Sequence, residues 1–286
     1  MQPLLLPLLE QGARRMLTRR GFTTSMLATP LGRVHVLDAP GRGTLPTTVL
    51  LHGLSSVAVL FAPILASLRE RTRRVVAIDY PGHGFSDEPL STLTPSALFE
   101  STRAAIDAVL GDEQAVLVGN SLGGAVAVDY AANRARRVRA LVLLSPAGAA
   151  CAEDEWTALR ERFAVTSRRS AVEFIERLHH RAPAYTRLFA HELPAAMQRR
   201  AVRELLATAT NDAAVTPEEL ASLSMPILFW WGRSERLLPP SHLAWWRAHL
   251  PAHAVLEEPE GIGHCPHLDA PRRVTRRLMS FLDTLA

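Results

Sequence analysis

The chain has 286 residues, of which 48% are hydrophobic and 21% charged, a composition typical of a globular protein with one large core. Its formal net charge is +4. The basic residues are all arginines, scattered in pairs with no accompanying nucleic-acid-binding motif, so no nucleic-acid partner is expected. The absence of lysine excludes Schiff-base chemistry and a catalytic serine–lysine pair.

The first segment of the chain, residues 1–24, is expected to form a short helical segment that packs on the body. Its apolar run at residues 4–9 is preceded by no basic residue and followed by arginines, the reverse of the charge order in a signal peptide. An alternative stays open, in which residues 1–20 make a weak peripheral contact with an anionic membrane. No apolar run reaches the ~18–20 residues that a membrane-spanning helix needs.

Beyond residue 24, short apolar runs alternate with helical patterns, which is typical of βαβ units and a mostly parallel sheet. Thr94 and Pro95 mark a helix start, because threonine caps a helix and proline suits its first turn. Predicted strands lie at 24–28, 34–37, 48–51, 75–78, 115–118, 141–144, 227–231 and 255–257. Predicted helices lie at 57–68, 95–110, directly after residue 121, at 241–250 and at 271–285.

The pattern changes between residues 147 and 224. No convincing strand pattern occurs there, and helical stretches rich in arginine, glutamate and alanine are separated by prolines. A connection between parallel strands needs only about a dozen residues, so a segment of this length predicts an inserted helical cap. The predicted organisation is therefore a core formed by residues 25–146 and 225–286, with a cap at 147–224.

The run Gly119-Asn120-Ser121-Leu122-Gly123 lies between an apolar run and a run of small residues, an order that predicts a strand, a sharp turn and a helix. A serine at such a turn presents its hydroxyl at the end of the sheet. A nucleophilic serine needs a base and an acid that orients the base. Glu235 follows the buried strand that begins at residue 227, and His264 lies in a glycine-containing loop after the last strand. The order Ser121, Glu235, His264 is that of the α/β-hydrolase fold.

Four motifs together resemble the α/β-hydrolase superfamily, from about residue 25 to the end of the chain. They are His52-Gly53 after a strand, Asp-Tyr-Pro-Gly-His-Gly-Phe-Ser-Asp at 79–87, Gly119 to Gly123, and Gly263-His264-x-Pro266. The resemblance implies a mostly parallel sheet flanked by helices, with an inserted helical cap over the active-site mouth. Glu235 departs from the family pattern, in which most members have aspartate. Glu153 and Asp154 therefore stay open as alternative acids, as does a surface ion pair between Glu235 and Arg236.

The same resemblance implies a catalytic set of Ser121 as nucleophile, His264 as base and Glu235 as orienting acid. An oxyanion hole is expected from the backbone N–H groups of Leu54 and Leu122. His52 is expected to brace the oxyanion loop and not to act as a base. The residues expected to support the site are His52, Gly53, Gly119, Asn120 and Gly123.

The leading functional prediction is a serine hydrolase that cleaves carboxylic esters through an acyl-enzyme, either an esterase or similar to a monoacylglycerol lipase. The alternatives are a carbon–carbon bond hydrolase of ring-fission products, a thioesterase in natural-product metabolism, and a non-catalytic binding protein of the same fold. A small-molecule ester is the expected partner, with no cofactor and no metal. Two cysteines, Cys151 and Cys265, do not form a disulfide framework, which favours a reducing compartment and a cytoplasmic location.

Apolar residues of the predicted cap either line the substrate pocket or form the core of the cap itself. They are Phe163, Phe174, Ile175, Leu178, Tyr185, Leu188 and Phe189. The histidines His179, His180 and His191 are expected on the surface of a cap helix, because no acidic or cysteine ligand pattern surrounds them.

Overall fold

A computed structural model of the chain describes residues 3–285, so residues 1–2 and 286 of the predicted terminal segments lie outside the described residues. The strands are β1 (Thr23–Thr29), β2 (Gly32–Pro40), β3 (Thr47–Leu51), β4 (Arg74–Ile78), β5 (Ala115–Asn120), β6 (Val138–Leu144), β7 (Ile227–Trp230) and β8 (Val255–Glu257). The helices are α1 (Leu5–Arg19), α2 (Ala62–Arg71), α3 (Pro95–Leu110), α4 (Leu122–Asn133), α5 (Glu153–Phe163), α6 (Arg168–Leu178), α7 (Thr186–Phe189), α8 (Leu193–Met197), α9 (Arg200–Thr208), α10 (Pro217–Ser222), α11 (Pro240–His249), α12 (Pro266–Asp269) and α13 (Pro271–Asp283).

The eight strands form one sheet in the order β1-β2-β4-β3-β5-β6-β7-β8. β1 pairs with β2, and β2 with β4, in antiparallel fashion, whereas every pair from β4 to β8 is parallel. Helices cover both faces, so the central strands are buried on both sides and consist of nearly continuous apolar runs. Val49 and Leu51 belong to one buried cluster and Leu50 to the other, one on each side of the sheet. The predicted α/β class with a mostly parallel sheet is confirmed.

Helix α3 begins as the sequence predicts. The Thr94 hydroxyl accepts a hydrogen bond from the backbone N–H of Ala97 at 3.2 Å, and Pro95 occupies the first turn. By contrast, β6 begins at Val138, earlier than the predicted start at residue 141. The exposed Arg139 interrupts the apolar run there, and its guanidinium donates to the backbone carbonyl of Leu285. Because this charged residue lies near the start of a buried strand, the hydropathy pattern did not reveal the first residues of β6.

Helix α1 is attached to the body at both ends. Leu17 is fully buried in one of the two clusters. At the other end the Glu192 carboxylate accepts hydrogen bonds from the backbone N–H groups of Leu4, Leu5 and Leu6 at 2.7–2.8 Å. Leu8 and Leu9 are exposed, and a membrane contact through this face stays a prediction. Among the described residues, no helix has both the length and the apolar character needed to cross a bilayer.

The long connection between β6 and β7 contains helices α5 to α10 and, over residues 145–226, no strand. Its helices are amphipathic, and Phe163, Ile175 and Leu205 are among the side chains that they bury. These side chains belong to the same buried cluster as the strand residues Val49 and Leu51. The insertion therefore packs on the sheet core, and its role as a cap stays a prediction.

Candidate active site

Ser121 lies at the sharp turn between β5 and α4. Its backbone has φ 54° and ψ −120°, a conformation that costs energy for a residue with a side chain. Three hydrogen bonds hold the turn. The Ser121 N–H donates to the Leu144 carbonyl at 3.1 Å, and the Ser121 carbonyl accepts from Gly124 at 2.8 Å and Ala147 at 2.9 Å. The turn places Ser121 at the carboxyl end of β5, where its side chain lines a pocket.

Two glycines allow the turn to pack closely. A Cβ atom on Gly119 would overlap the backbone carbonyl of Gly123, and a Cβ atom on Gly123 would overlap that of Leu51. The overlapped carbonyls belong to the backbone of α4 and of the central strand β3, which cannot move aside, so both positions require glycine. Gly53 approaches from the loop after β3, where an added Cβ atom would lie 3.3 Å from the Cβ atom of Ser121.

His264 and Glu235 form a buried pair. The His264 Nδ1 and Glu235 Oε2 atoms are 2.8 Å apart, and the two side chains are 3% and 4% exposed. Oε1 of Glu235 accepts from the backbone N–H groups of Leu237 at 2.8 Å and Leu238 at 3.1 Å. Burial alone would raise the pKa of Glu235, but attraction to His264 and these hydrogen bonds hold it below its ordinary value. The ionised carboxylate only accepts, so Nδ1 of His264 carries the proton and Nε2 is left as the basic atom.

The alternative acids do not contact His264. Arg236 donates to the backbone carbonyl of Glu176 at 2.6 Å and to that of His179, and it makes no ion pair with Glu235 among the described residues. Glu153 and Asp154 are exposed in the first turn of α5, and Glu153 pairs with Arg160 at 3.5 Å. Of the three carboxylates considered, Glu235 alone reaches His264.

Asn120 connects the serine turn to the histidine loop. Its Nδ2 atom donates to the backbone carbonyls of His264 and Leu144, both at 2.9 Å. The residue that precedes Ser121 therefore fixes the backbone of the candidate base relative to the candidate nucleophile.

Asp269 shapes the histidine loop from the other side. Oδ2 accepts from the N–H of Gly263 at 2.7 Å and of His180 at 2.9 Å, while Oδ1 lies 2.7 Å from Nδ1 of His179. His179 is therefore buried, and its predicted position on a helix surface is wrong, because the connection after α6 turns inward onto Asp269. Among the described residues, no group of three or more His, Cys, Asp or Glu side chains is arranged to hold a metal ion.

The loop after β3 and the start of α4 each present one unused backbone donor beside Ser121. Leu54 and Leu122 both line the same pocket as Ser121, and within residues 3–285 neither backbone N–H donates to another protein atom. His52 fixes this loop: its Nδ1–H donates to the Gly53 carbonyl at 2.8 Å, and its own carbonyl accepts from the Tyr80 hydroxyl at 3.0 Å. Burial lowers the pKa of His52, which favours the neutral ring.

The pocket at Ser121 has a volume of about 780 Å³ when its open mouth is included. Its walls are predominantly apolar and come from the sheet end, from α5 and α9 of the insertion, and from α11. The larger side chains that line it are Leu54, Phe99, Leu122, Trp156, Leu159, Phe163, Leu205, Leu206, Leu238 and His242.

Only one of the apolar cap residues considered from sequence, Phe163, lines this pocket. Phe174 instead packs against Phe163 with ring centroids 5.3 Å apart, and Tyr185 and Leu188 are exposed. Sequence reasoning missed Trp156, the leucines of α9 and His242. The amphipathic spacing of Val202, Leu205 and Leu206 was the available signal for an inward-facing helix.

Comparison with known proteins identifies the family of the chain. A model of the alpha/beta hydrolase family matches residues 48–277. The chain is 29% identical over 264 residues to pimeloyl-(acyl-carrier protein) methyl ester esterase of Xanthomonas campestris, covering 87% of this chain and 99% of that protein. Carboxylesterase CesB of Bacillus subtilis superimposes with a TM-score of 0.78 at 23% identity, covering 98% and 99% of the two chains. The 2-hydroxy-6-oxo-6-phenylhexa-2,4-dienoate hydrolase of Rhodococcus sp. strain RHA1 gives a TM-score of 0.75 at 24% identity, covering 91% and 98%. The match to most of the chain shows that this protein belongs to the alpha/beta hydrolase family.

Proposed function

We propose that this hydrolase cleaves carboxylic esters with Ser121 as nucleophile, His264 as general base and Glu235 as orienting acid. The observation that carries the proposal is the buried His264–Glu235 pair, whose loop is tied by Asn120 to the strained turn at Ser121. Two similar proteins, a methyl ester esterase and a carboxylesterase, are named for ester cleavage.

In the first half of the reaction, the Ser121 hydroxyl attacks the ester carbonyl carbon while Nε2 of His264 takes the hydroxyl proton. Glu235 stabilises the imidazolium that forms. The tetrahedral intermediate places its negative oxygen near the N–H groups of Leu54 and Leu122, and the N-terminus of α4 adds a favourable dipole. Collapse breaks the bond to the alcohol oxygen, which receives the proton from His264, and leaves Ser121 acylated.

In the second half, a water molecule attacks the acyl carbonyl and His264 takes the proton of that water. Collapse of the second tetrahedral intermediate returns the proton to Ser121 and releases the carboxylic acid. His264 alternates between base and acid, which requires a neutral ring at the start of each half.

The predominantly apolar walls of the pocket favour binding of an uncharged acyl chain. The residues that line it include no arginine, so nothing in the described wall would neutralise the carboxylate of a dienoate substrate. This favours ester cleavage over the carbon–carbon hydrolysis named for the Rhodococcus neighbour.

The test is hydrolysis of p-nitrophenyl esters with acyl chains of increasing length, measured for the wild-type protein and for Ser121→Ala. We expect turnover that falls by at least about 10³-fold in the variant. Ser91→Ala, at an exposed position, is the matched control and should keep full activity. Labelling by a fluorophosphonate probe that persists in Ser121→Ala would show that another residue is the nucleophile. Absence of both turnover and labelling would favour a binding protein.

A further inference from the structure

His242 stands out in the pocket at Ser121. It lies on α11 with only 2% of its surface exposed, and its side chain lines the pocket among leucines, alanines and aromatic rings. Within residues 3–285 neither ring nitrogen has a hydrogen-bond partner, although its backbone N–H donates to the Pro239 carbonyl at 3.0 Å. Among the described residues that line this pocket, it is the only one whose polar side-chain atoms are both fully buried and unpaired.

An unpaired buried imidazole is costly, because its donor and acceptor lose their hydrogen bonds to water. Packing alone would be served better by leucine or methionine at this position, in a pocket wall that is otherwise mostly apolar. The buried Trp246 Nε1 and His267 Nδ1 atoms are also unpaired, but neither residue lines the pocket. An unpaired polar side chain in the wall of a ligand pocket is typical of a residue that orients the ligand.

The charged groups around His242 indicate whether the group that it binds is anionic or neutral. Burial lowers the pKa of His242 to about 4, so the ring is neutral at pH 7, with one donor and one acceptor nitrogen. The charged groups near the ring are the carboxylates of Glu155 and Glu235 and the guanidinium of Arg162, a net negative surrounding. An anionic group would be repelled there, whereas a neutral oxygen can pair with the imidazole.

We propose that His242 is a specificity-determining residue that hydrogen-bonds a neutral hydroxyl or carbonyl oxygen of the ester substrate. This inference rests on the proposed ester hydrolysis at Ser121 and names the substrate class more closely. The oxygen can belong to the acyl chain, as in a hydroxyacyl or oxoacyl ester, or to the alcohol, as in a glycerol ester. Both sources present the same chemistry to the ring.

The experiment compares wild type, His242→Leu and His242→Gln on matched pairs of esters. One arm uses p-nitrophenyl octanoate against octanoates that carry a hydroxyl or oxo group at successive carbons. The other arm uses propyl octanoate against glyceryl octanoate. A p-nitrophenyl ester that ends in a carboxylate serves as the anionic comparison. Measuring kcat and KM separately shows whether the effect lies in binding or in positioning.

If the bound oxygen belongs to the acyl chain, we expect wild type to prefer the hydroxylated or oxo octanoates. If it belongs to the alcohol, we expect wild type to prefer glyceryl octanoate. His242→Leu should lower kcat/KM for the preferred ester by about tenfold or more relative to its effect on the plain ester. His242→Gln, which keeps a donor and an acceptor, should restore part of the preference. The melting temperature of His242→Leu should stay the same or rise, because an unpaired polar group is removed.

Two failures are distinguishable. If wild type hydrolyses no plain ester in a Ser121-dependent way, the proposed function itself fails. If plain esters are hydrolysed but His242→Leu and His242→Gln discriminate as wild type does in both arms, the role of His242 is overturned. A wild-type preference for the carboxylate ester that His242→Leu abolishes would also overturn it, since the proposed ligand is neutral. If His242→Leu does not fold, the same comparison is decided by His242→Gln and by His242→Met.

Discussion

The Glu235 side chain is held by three donors at once: the His264 ring and the backbone N–H groups of Leu237 and Leu238. These bonds fix the carboxylate so that one oxygen remains for the imidazole. Glu235→Gln keeps the size of the side chain but can present an N–H to Nδ1, which favours the wrong tautomer of His264. We expect kcat for ester hydrolysis to fall on the order of 10³- to 10⁴-fold, with a much smaller change in KM.

The matched control for this change is Asp154→Asn, which removes one negative charge from an exposed helix position that does not contact His264. Its kcat should stay within about twofold of wild type, as for most surface substitutions. A larger loss in Asp154→Asn than in Glu235→Gln would move the acid to α5.

At the scale of single residues, local signals were readable from the sequence and distant partners were not. The turn at Ser121, the cap at Thr94 and the loop that carries His264 follow from the chemistry of a few neighbouring residues. The hydrogen bonds from Asn120 to His264 and from Gly263 to Asp269 join or shape loops whose relative position depends on the whole sheet. His242 gave no sequence signal, because a histidine in an amphipathic helix is ordinary until its surroundings are known.

At the scale of elements, the contact between β5 and α4 depends on glycine. A Cβ atom at Gly123 would overlap the carbonyl oxygen of Leu51, in a strand hydrogen-bonded on both sides. Gly123→Ala should therefore destabilise the protein by about 3 kcal/mol or more, measured by urea unfolding. Gly12→Ala is the comparison. Nothing lies within 4 Å of the added atom in α1, so alanine should stabilise the helix by up to about 1 kcal/mol. Equal effects of the two substitutions would contradict this account.

The attachment of α1 makes a separate prediction about pH. Burial alone would raise the pKa of Glu192, but three backbone N–H donors at the start of the helix hold it below its ordinary value of 4.5. A carboxyl group with a depressed folded-state pKa contributes stability that is fully present above the unfolded value. That contribution is lost as the pH falls through the lower folded value.

Glu192→Gln should consequently lower the free energy of unfolding at pH 7 by about 1 kcal/mol, since it removes the charge at a helix N-terminus and weakens the accepting group. The difference between wild type and variant should shrink as the pH falls through the depressed folded-state pKa of Glu192, where the wild-type side chain also becomes neutral. Urea titrations of both proteins at several pH values measure it. A difference that stays constant down to acid pH would show that the charge of Glu192 contributes nothing to the attachment of α1.

At the scale of the whole molecule, the sheet was predictable and the pocket was not. Buried strands such as β3 and β5 are short, nearly continuous apolar runs, and the helical patterns between such runs indicate parallel pairing, so the sheet could be predicted from the sequence. The pocket is assembled from α5, α9 and α11, which are distant along the chain. An amphipathic pattern tells which face of a helix is buried but not what that face meets. Phe163 and Phe174 are therefore alike in sequence, and only the fold places Phe163 at the pocket.

The assembly of the pocket from the insertion implies that α9 sets the length of acyl chain that fits. Leu206 is half-buried on α9 and lines the pocket, and its neighbour Ala207 is exposed and does not. Leu206→Trp places a larger ring in the space that the chain would occupy, whereas Ala207→Trp places the same ring in solvent. We expect Leu206→Trp to lower kcat/KM for long-chain p-nitrophenyl esters by about tenfold or more and to leave two- to four-carbon esters within about threefold. Ala207→Trp should keep the wild-type chain-length profile. If both variants keep the wild-type profile, the acyl chain does not occupy the space beside α9. If both variants lose long-chain activity equally, the loss comes from a disturbed helix and not from a narrower pocket.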